Sequence, residues 1–185
     1  MRITKYLRTD QETIIRFLDT LGVATSMLSG NKHARPGFFI FAHTFMHEYI
    51  EESFFKKEDL LFNALADGGF PTEDGPIAAM RAEQVKCRES SEHMGNAAKG
   101  WQGGDEEARG EVGWAASGYS LTFRQHLERL NNRIYPLLEQ NMSDEDEHKI
   151  AEGLNKIAFE VSIKDETDKY SKLVGALEEE LNSWK

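Results

Sequence analysis

The sequence predicts an all-α fold: an antiparallel four-helix bundle with an additional C-terminal helix. Three observations predict it. Apolar residues recur every three or four positions along most of the chain, and no alternating strand pattern interrupts them. Glycine, proline and serine clusters fall between the periodic stretches, where helices start and stop. The connections they leave are short, which makes sequential helices antiparallel neighbours. With 185 residues, the chain reads as one domain over 1–185, large enough to bury a substantial core.

The first pattern spans residues 3 to about 28, with Tyr6, Leu7, Ile14, Phe17, Leu18 and Leu21 at helical spacing. Thr9 or Asp10 offers an internal cap, and Ser29-Gly30-Asn31 ends the element. Pro36 suits the first turn of a second helix, which runs to about Ala66 before Asp67-Gly68-Gly69 stops it. The turn FPTEDGP leads to a third helix opened by Pro76, with Ile77, Met80, Gln84, Cys87, Ser91 and Met94 on one face. Gly95, Gly100, Gly103 and Gly104 give it a soft end. A fourth helix begins near 105–111 and turns Trp114, Tyr119, Phe123, His126, Leu130 and Leu137 inward, with a kink or break expected at Pro136. Ser143 and Asp146 form a capping box, and DEDE at 144–147 makes an acidic first turn. The last helix is expected to carry Ile150, Leu154, Ile157, Phe159, Ile163, Leu173 and Leu177 to the C-terminus.

Composition narrows the function. The hydrophobic share is 39%, the charged share 29% and the formal net charge −10. That balance argues against nucleic acid and anionic membrane surfaces as partners. No apolar run reaches the roughly 18–20 residues of a membrane span, and the N-terminus lacks a secretory pattern. The single cysteine, Cys87, excludes an internal disulfide and fits a cytoplasmic setting. It reads as a small buried hydrophobe before it reads as a reactive thiol. Remaining partners are a small molecule or another protein, for a monomer or homodimer.

The most informative stretch is Pro36–Leu65, PGFFIFAHTFMHEYIEESFFKKEDLLFNAL. On a wheel of about 100° per residue, Phe39, Ala42, Met46, Tyr49, Leu60 and Ala64 share a face with Ser53 and Lys57. A hydroxyl and an ammonium thus interrupt an apolar stripe at i and i+4, positions where bundles place metal ligands.

The run KKEDLLFNALADGGFPTEDGPIAAM, 56–80, resembles the hemerythrin-like (HHE cation-binding) family, whose second helix carries an HxxxEExxLFPAL pattern before a GFP…GPI turn. Tyr119, Phe123, His126, Asn131, Tyr135 and Pro136 resemble its fourth helix, and KYSKLVGALEEEL its closing helix. The resemblance implies a bundle holding two irons, in proteins that bind dioxygen or sense oxygen, nitric oxide or iron. Carried over position by position, the family's histidines fall on Gln11, Ser53, Gln84 and His126, and its carboxylates on Lys57 and Leu130. Only His126 keeps the ligand. An ammonium repels iron and amides bind it weakly, so the resemblance implies a degenerate site with no cofactor.

Two functional readings follow. The first is a non-catalytic binding or regulatory bundle, its core tied by Gln11, Ser53, Lys57, Gln84 and His126. The second reuses the cavity as a small-molecule or enzyme site, with Lys57 and His126 as acid–base groups and Gln11, Tyr49, Ser53, Gln84 and Leu130 as pocket walls. An alternative keeps metal, iron above all, through a non-family set: His126, His47, Glu51, Glu58 and Glu83. Lys57 itself reads either as a core-margin side chain paired with Glu58 or Glu83, or as a desolvated base. His126 reads as a remnant ligand, a base, or a core histidine satisfied by Gln84 or Gln11. His33, His43, His47, His93 and His148 read as solvent-facing, although His43 and His47 at i, i+4 suffice to grip an adventitious metal.

Overall fold

A computed structural model describes residues 2–164 and 168–185, and among them every regular element is helical. Helix α1 is Arg2–Met27. Helix α2 covers 36–67 in three segments, Pro36–Phe45, Met46–Phe54 and Phe55–Asp67. Helix α3 is Gly75–Gln102. Helix α4 covers 108–141 as Ala108–Arg129, Leu130–Ile134 and Tyr135–Asn141. Helices α5, Asp144–Lys164, and α6, Lys169–Asn182, complete the chain.

Side-chain pairs fix the antiparallel order. Along α1 and α4 the partners are Thr4–Glu139, Gln11–Asn131 and Asp19–Arg124, so one number rises as the other falls. Between α2 and α3 they are Asn63–Arg81, Glu58–Gln84 and His43–Gly95. Between α3 and α4 they are Glu83–His126 and His93–Trp114. The core between them is strongly aromatic: Phe17, Phe38, Phe39, Phe45, Phe54, Phe55, Phe62, Tyr119, Phe123 and Tyr135 are all fully buried. Each such ring removed from water stabilises the fold by about 1.5–3 kcal/mol.

The ends of the helices follow the local chemistry. The Gly69 backbone takes a φ of +96°, open mainly to glycine, as the chain leaves α2, while the Phe70 amide caps the Leu65 carbonyl. At the start of α5 the Ser143 hydroxyl accepts the Asp146 amide at 3.1 Å, and the Asp146 carboxylate accepts the Ser143 amide at 3.1 Å: the expected capping box.

Several expectations change. The single C-terminal helix is two: α5 packs on the end of α2, with Gly153 against Leu60, while α6 turns back along α1 and the start of α2. There Trp184 closes over Phe38 and Phe39, at ring separations of 5.2 and 6.2 Å. Helix α1 runs unbroken through Thr9 and Asp10, so neither caps a start. Helix α3 continues through Gly95 and Gly100 to Gln102, held by its contacts with α2 and α4. Tyr6, Trp114 and Phe159, read as inward, are 45%, 73% and 63% exposed, because each lies on the solvent flank of its helix. The side chain of Ile163 lies outside the described residues.

Two segments depart from α geometry. In Met46–Phe54 the helix widens to a π spacing, and the Phe55 amide reaches back five residues to the Ile50 carbonyl. In Leu130–Ile134 the same happens, with the Tyr135 amide donating to Leu130. The second widening carries the helix past Pro136, which lacks a donor, so α4 continues where a break was expected.

Candidate functional site

The first widening decides what enters the core. A π turn holds one residue more than an α turn, so side chains beyond it lag a 100° wheel. That wheel puts Glu58 about 140° from Ser53, outside the bundle. In the structure Ser53, Lys57 and Glu58 are all buried, Glu58 most deeply at 1% exposed. The carboxylate facing the centre of the bundle from α2 is therefore Glu58, one position past the expected Lys57.

Glu58 meets His126 from α4, which is wholly buried. Both Glu58 oxygens lie close to His126 Nε2, at 2.8 and 2.7 Å. The other ring nitrogen, Nδ1, is 3.2 Å from Oε1 of Glu83 on α3. Gln84 Nε2 donates to Glu58 at 3.0 Å, and Arg129 Nε to Glu83 at 3.4 Å. Phe55 and Phe123 wall the imidazole, with ring centroids 5.7 and 5.6 Å away. Burial alone would keep His126 neutral, but the charge and hydrogen bonds of Glu58, then those of Glu83, override it and raise its pKa to about 9. Burial likewise works to raise Glu83, yet the hydrogen bond and charge of His126, with help from Arg129, bring it below its ordinary value. The ring is an imidazolium near neutral pH, donating from both nitrogens. His126 is thus satisfied by Glu58 and Glu83, not by Gln84 or Gln11.

Lys57 points to the α1 side. Its Nζ bonds Asp10 Oδ2 at 2.7 Å, and it lies 5.4 Å from the centroid of the Tyr6 ring. Its partner is Asp10, not Glu58 or Glu83. Tyr49 Oη donates to the same aspartate at 3.4 Å. Burial, and then the nearby Asp10 charge, push the Tyr49 phenol far above its usual range. Below them, Gln11 and Asn131 exchange amide hydrogen bonds at 3.1 and 2.9 Å, and Gln11 Nε2 also donates to Tyr135 Oη at 3.1 Å.

The expected polar residues Gln11, Ser53, Lys57, Gln84 and His126 are all buried, with Leu130 beside them and Tyr49 partly covered. They form separate groups: Gln11 with Asn131 and Tyr135, Lys57 with Asp10 and Tyr49, and His126 with Glu58, Glu83 and Gln84. Asp10, Asn131 and Tyr135 were not singled out as partners; Asp10 follows Thr9 in a polar run, which gave no signal of its inward reach. Two surface clefts, about 400 Å³ beside Leu60, Asn63 and Met142 and about 510 Å³ beside Leu28, Arg109 and Trp114, lie away from all of these. Cys87 is fully buried, and burial followed by the charges of Glu58, Glu83 and Glu51 holds its thiol protonated. His33, His47 and His148 are exposed as expected, whereas His43 and His93 are partly covered by α3 and by Trp114. His47 and Glu51 sit along α2 from the central group and do not join it. Among the described residues, no three His, Cys, Asp or Glu side chains are arranged to hold a metal ion. Likewise, no helix there is long and apolar enough to cross a membrane.

Replacing Lys57 by methionine tests its role. The apolar stem is kept, but Asp10, with 19% of its side chain exposed, loses its cation. The expected result is a stability loss of about 1–2 kcal/mol in urea unfolding, less than for a fully buried pair because Asp10 partly rehydrates. A rise in stability would mean that Lys57 is held in the core against its own preference, as a working base would be.

No curated protein and no solved structure matches the chain. The sequence model of the hemerythrin HHE cation-binding domain matches residues 2–138, from α1 to the middle of the last segment of α4, and leaves α5 and α6 outside. With that match over most of the chain, and a bundle of antiparallel helices of which three meet at His126 and Glu58, the chain belongs to the hemerythrin HHE cation-binding domain family.

Proposed function

We propose that this chain is a non-catalytic binding or regulatory bundle of its family, in which a buried imidazolium held by two carboxylates takes the place of two irons. The observation that carries this reading is the geometry of His126, whose two ring nitrogens both face carboxylates behind an aromatic wall. A ring used in that way has no lone pair left for a metal. The residues at the family's ligand positions do not fit a bridged pair of irons. They offer one imidazole, two amides in Gln11 and Gln84, a hydroxyl in Ser53 and an isobutyl group in Leu130, while the carboxylates that do reach the centre, Glu58 and Glu83, are taken up by the His126 ring. Lys57 adds an ammonium to a set that needs anions. The acidic charge of −10 supports a small-molecule or protein partner over nucleic acid.

Protein purified after expression in iron-rich medium tests the proposal by metal analysis and near-ultraviolet absorption. The expected result is iron well below one equivalent, with no oxo-bridge band. Two irons per chain with that band would overturn it. A second reading keeps one metal at Glu58, Glu83 and His126, which meet from three helices but would have to give up their mutual hydrogen bonds to bind it. One tightly held equivalent of metal, lost on Glu58→Gln, would select that reading.

A further inference from the structure

The outer face of α4 is open to solvent and, along its middle, uncharged. From Val112 to Phe123 the helical segment Ala108–Arg129 carries no charged side chain. Trp114 and Leu121 stand two turns apart on that face, 73% and 64% exposed, and Trp114 is the most exposed large apolar side chain among the described residues. Ser117 and Gly118 lie exposed between them. Glycine inside a helix is disfavoured against alanine, yet the packing of this chain demands it at neither Gly110 nor Gly118. A Cβ atom at Gly110 would meet nothing within 4 Å, and one at Gly118 only Ser90 Oγ, 4.0 Å away. A cleft of about 510 Å³, lined in part by Leu28, Gly110, Trp114 and Ser117, opens on the same face. Apolar surface grouped in this way marks an interaction site more often than isolated exposed residues do.

The order of residues along this face is its own complement. Counted outward from the midpoint between Ser117 and Gly118, Trp114 is matched by Leu121, and Glu111 by Arg124. From this pattern we propose that α4 pairs antiparallel with α4 of a second copy of this chain, about a two-fold axis at Ser117 and Gly118. Such an interface uses one patch twice, so each match is made on both sides of the axis. Ser117 and Gly118 let the two backbones approach closely. Leu121 of each copy enters the cleft beside Trp114 of the other, and Glu111 of each meets Arg124 of the other. The partners these two charges already have are exposed: Glu111 lies 3.6 Å from His93 Nε2, and Arg124 bonds Asp19 at 2.8 Å. Exposed pairs contribute little, so sharing or exchanging them costs little. Further out, Glu107 meets Glu128 as a like pair at the solvated rim, beside the opposite pair Glu106 and Arg129. Two chains of net charge −10 repel, and the uncharged strip is where they approach with least repulsion. The 22 residues of Ala108–Arg129 run about 33 Å. Two helix diameters wide with the flanks of α1 and α3, the face covers on the order of 700 Å² per copy, close to the ~800 Å² per partner of a standard interface. His126 is wholly buried on the core side of α4, so the pairing is independent of the function proposed for the central network.

Sedimentation equilibrium of the full chain across micromolar concentrations tests the pairing. The measured mass is expected to rise towards twice that of one chain. Trp101 and Trp184 are buried, so a blue shift of tryptophan emission with concentration reports Trp114 leaving water. Trp114→Ser and Gly118→Leu should each weaken association at least tenfold, with unchanged helical content. Glu111→Arg and Arg124→Glu should each weaken it severalfold, because like charges then meet on both sides of the axis. The double variant, with both charges reversed, should restore it. A chain that stays monomeric throughout would leave the face to a different protein and overturn the proposal. A dimer as tight in Trp114→Ser and Gly118→Leu as in the parent would place the contact elsewhere and overturn it too. A double reversal no tighter than the single ones would overturn the antiparallel register.

Discussion

Replacing His126 by leucine is expected to destabilise the bundle by about 3–5 kcal/mol, the cost of leaving a buried charge without its partner. Glu58 is 1% exposed and would retain only the Gln84 amide as donor. Glu58→Met strands the imidazolium in the same way, although Glu83 still reaches His126 Nδ1 from the other side. The double variant removes both charges and fills the space with apolar side chains beside Phe55 and Phe123. It is expected to be markedly more stable than the sum of the single losses allows, since apolar replacements of buried ion pairs are often close to neutral. Urea unfolding of the four proteins measures the coupling. Simple additivity would mean that the contact between Glu58 and His126 contributes nothing of its own.

The second large effect is on pH. The His126 pKa is about 9 in the fold against an ordinary 6.5. A group raised by folding stabilises the fold fully below its unfolded value and loses that contribution as pH rises through its folded value. Stability should therefore fall between about pH 6.5 and 9, by an amount of order 3 kcal/mol. Glu83 acts at the acid end. Its pKa lies below the ordinary 4.5, so its contribution is present above that value and fades as pH drops beneath it. The groups facing His126 are Glu58, Glu83 with Arg129 behind it, and the neutral Gln84. Unfolding midpoints of the parent chain should form a plateau near pH 5–6.5 and decline on the alkaline side, while His126→Leu should be nearly flat there. A parallel alkaline decline in both proteins would assign the pH dependence to other groups.

The helices were legible because their faces repeat. Leu7, Ile14, Phe17, Leu18 and Leu21 on α1, and Met80, Gln84, Cys87, Ser91 and Met94 on α3, are buried as their spacing implied. The site was legible by position but not by partner. Gln11, Ser53, Lys57, Gln84, His126 and Leu130 all lie inside, yet the wheel supplied Lys57 as the residue facing the centre when Glu58 is. The error has one physical source, since a wheel assumes α spacing and Met46–Phe54 does not keep it. The structure buries Ser53, Phe54, Phe55, Lys57 and Glu58 together, a run too wide for one α face, but in the sequence the charges of Lys57 and Glu58 hid it. The exposed Trp114 and Phe159 show the converse, because periodicity finds an apolar residue without saying whether a neighbour covers it.

In Met46–Phe54 the length of α2 and its angular setting are uncoupled. A residue can be gained or lost there by exchanging one wide turn for an ordinary one, with both flanking segments left facing as they do. The same change within Phe55–Asp67 would swing everything beyond it by about 100° against everything before it. The helix thus holds its slack in one place, directly ahead of the carboxylate that most needs to point the right way.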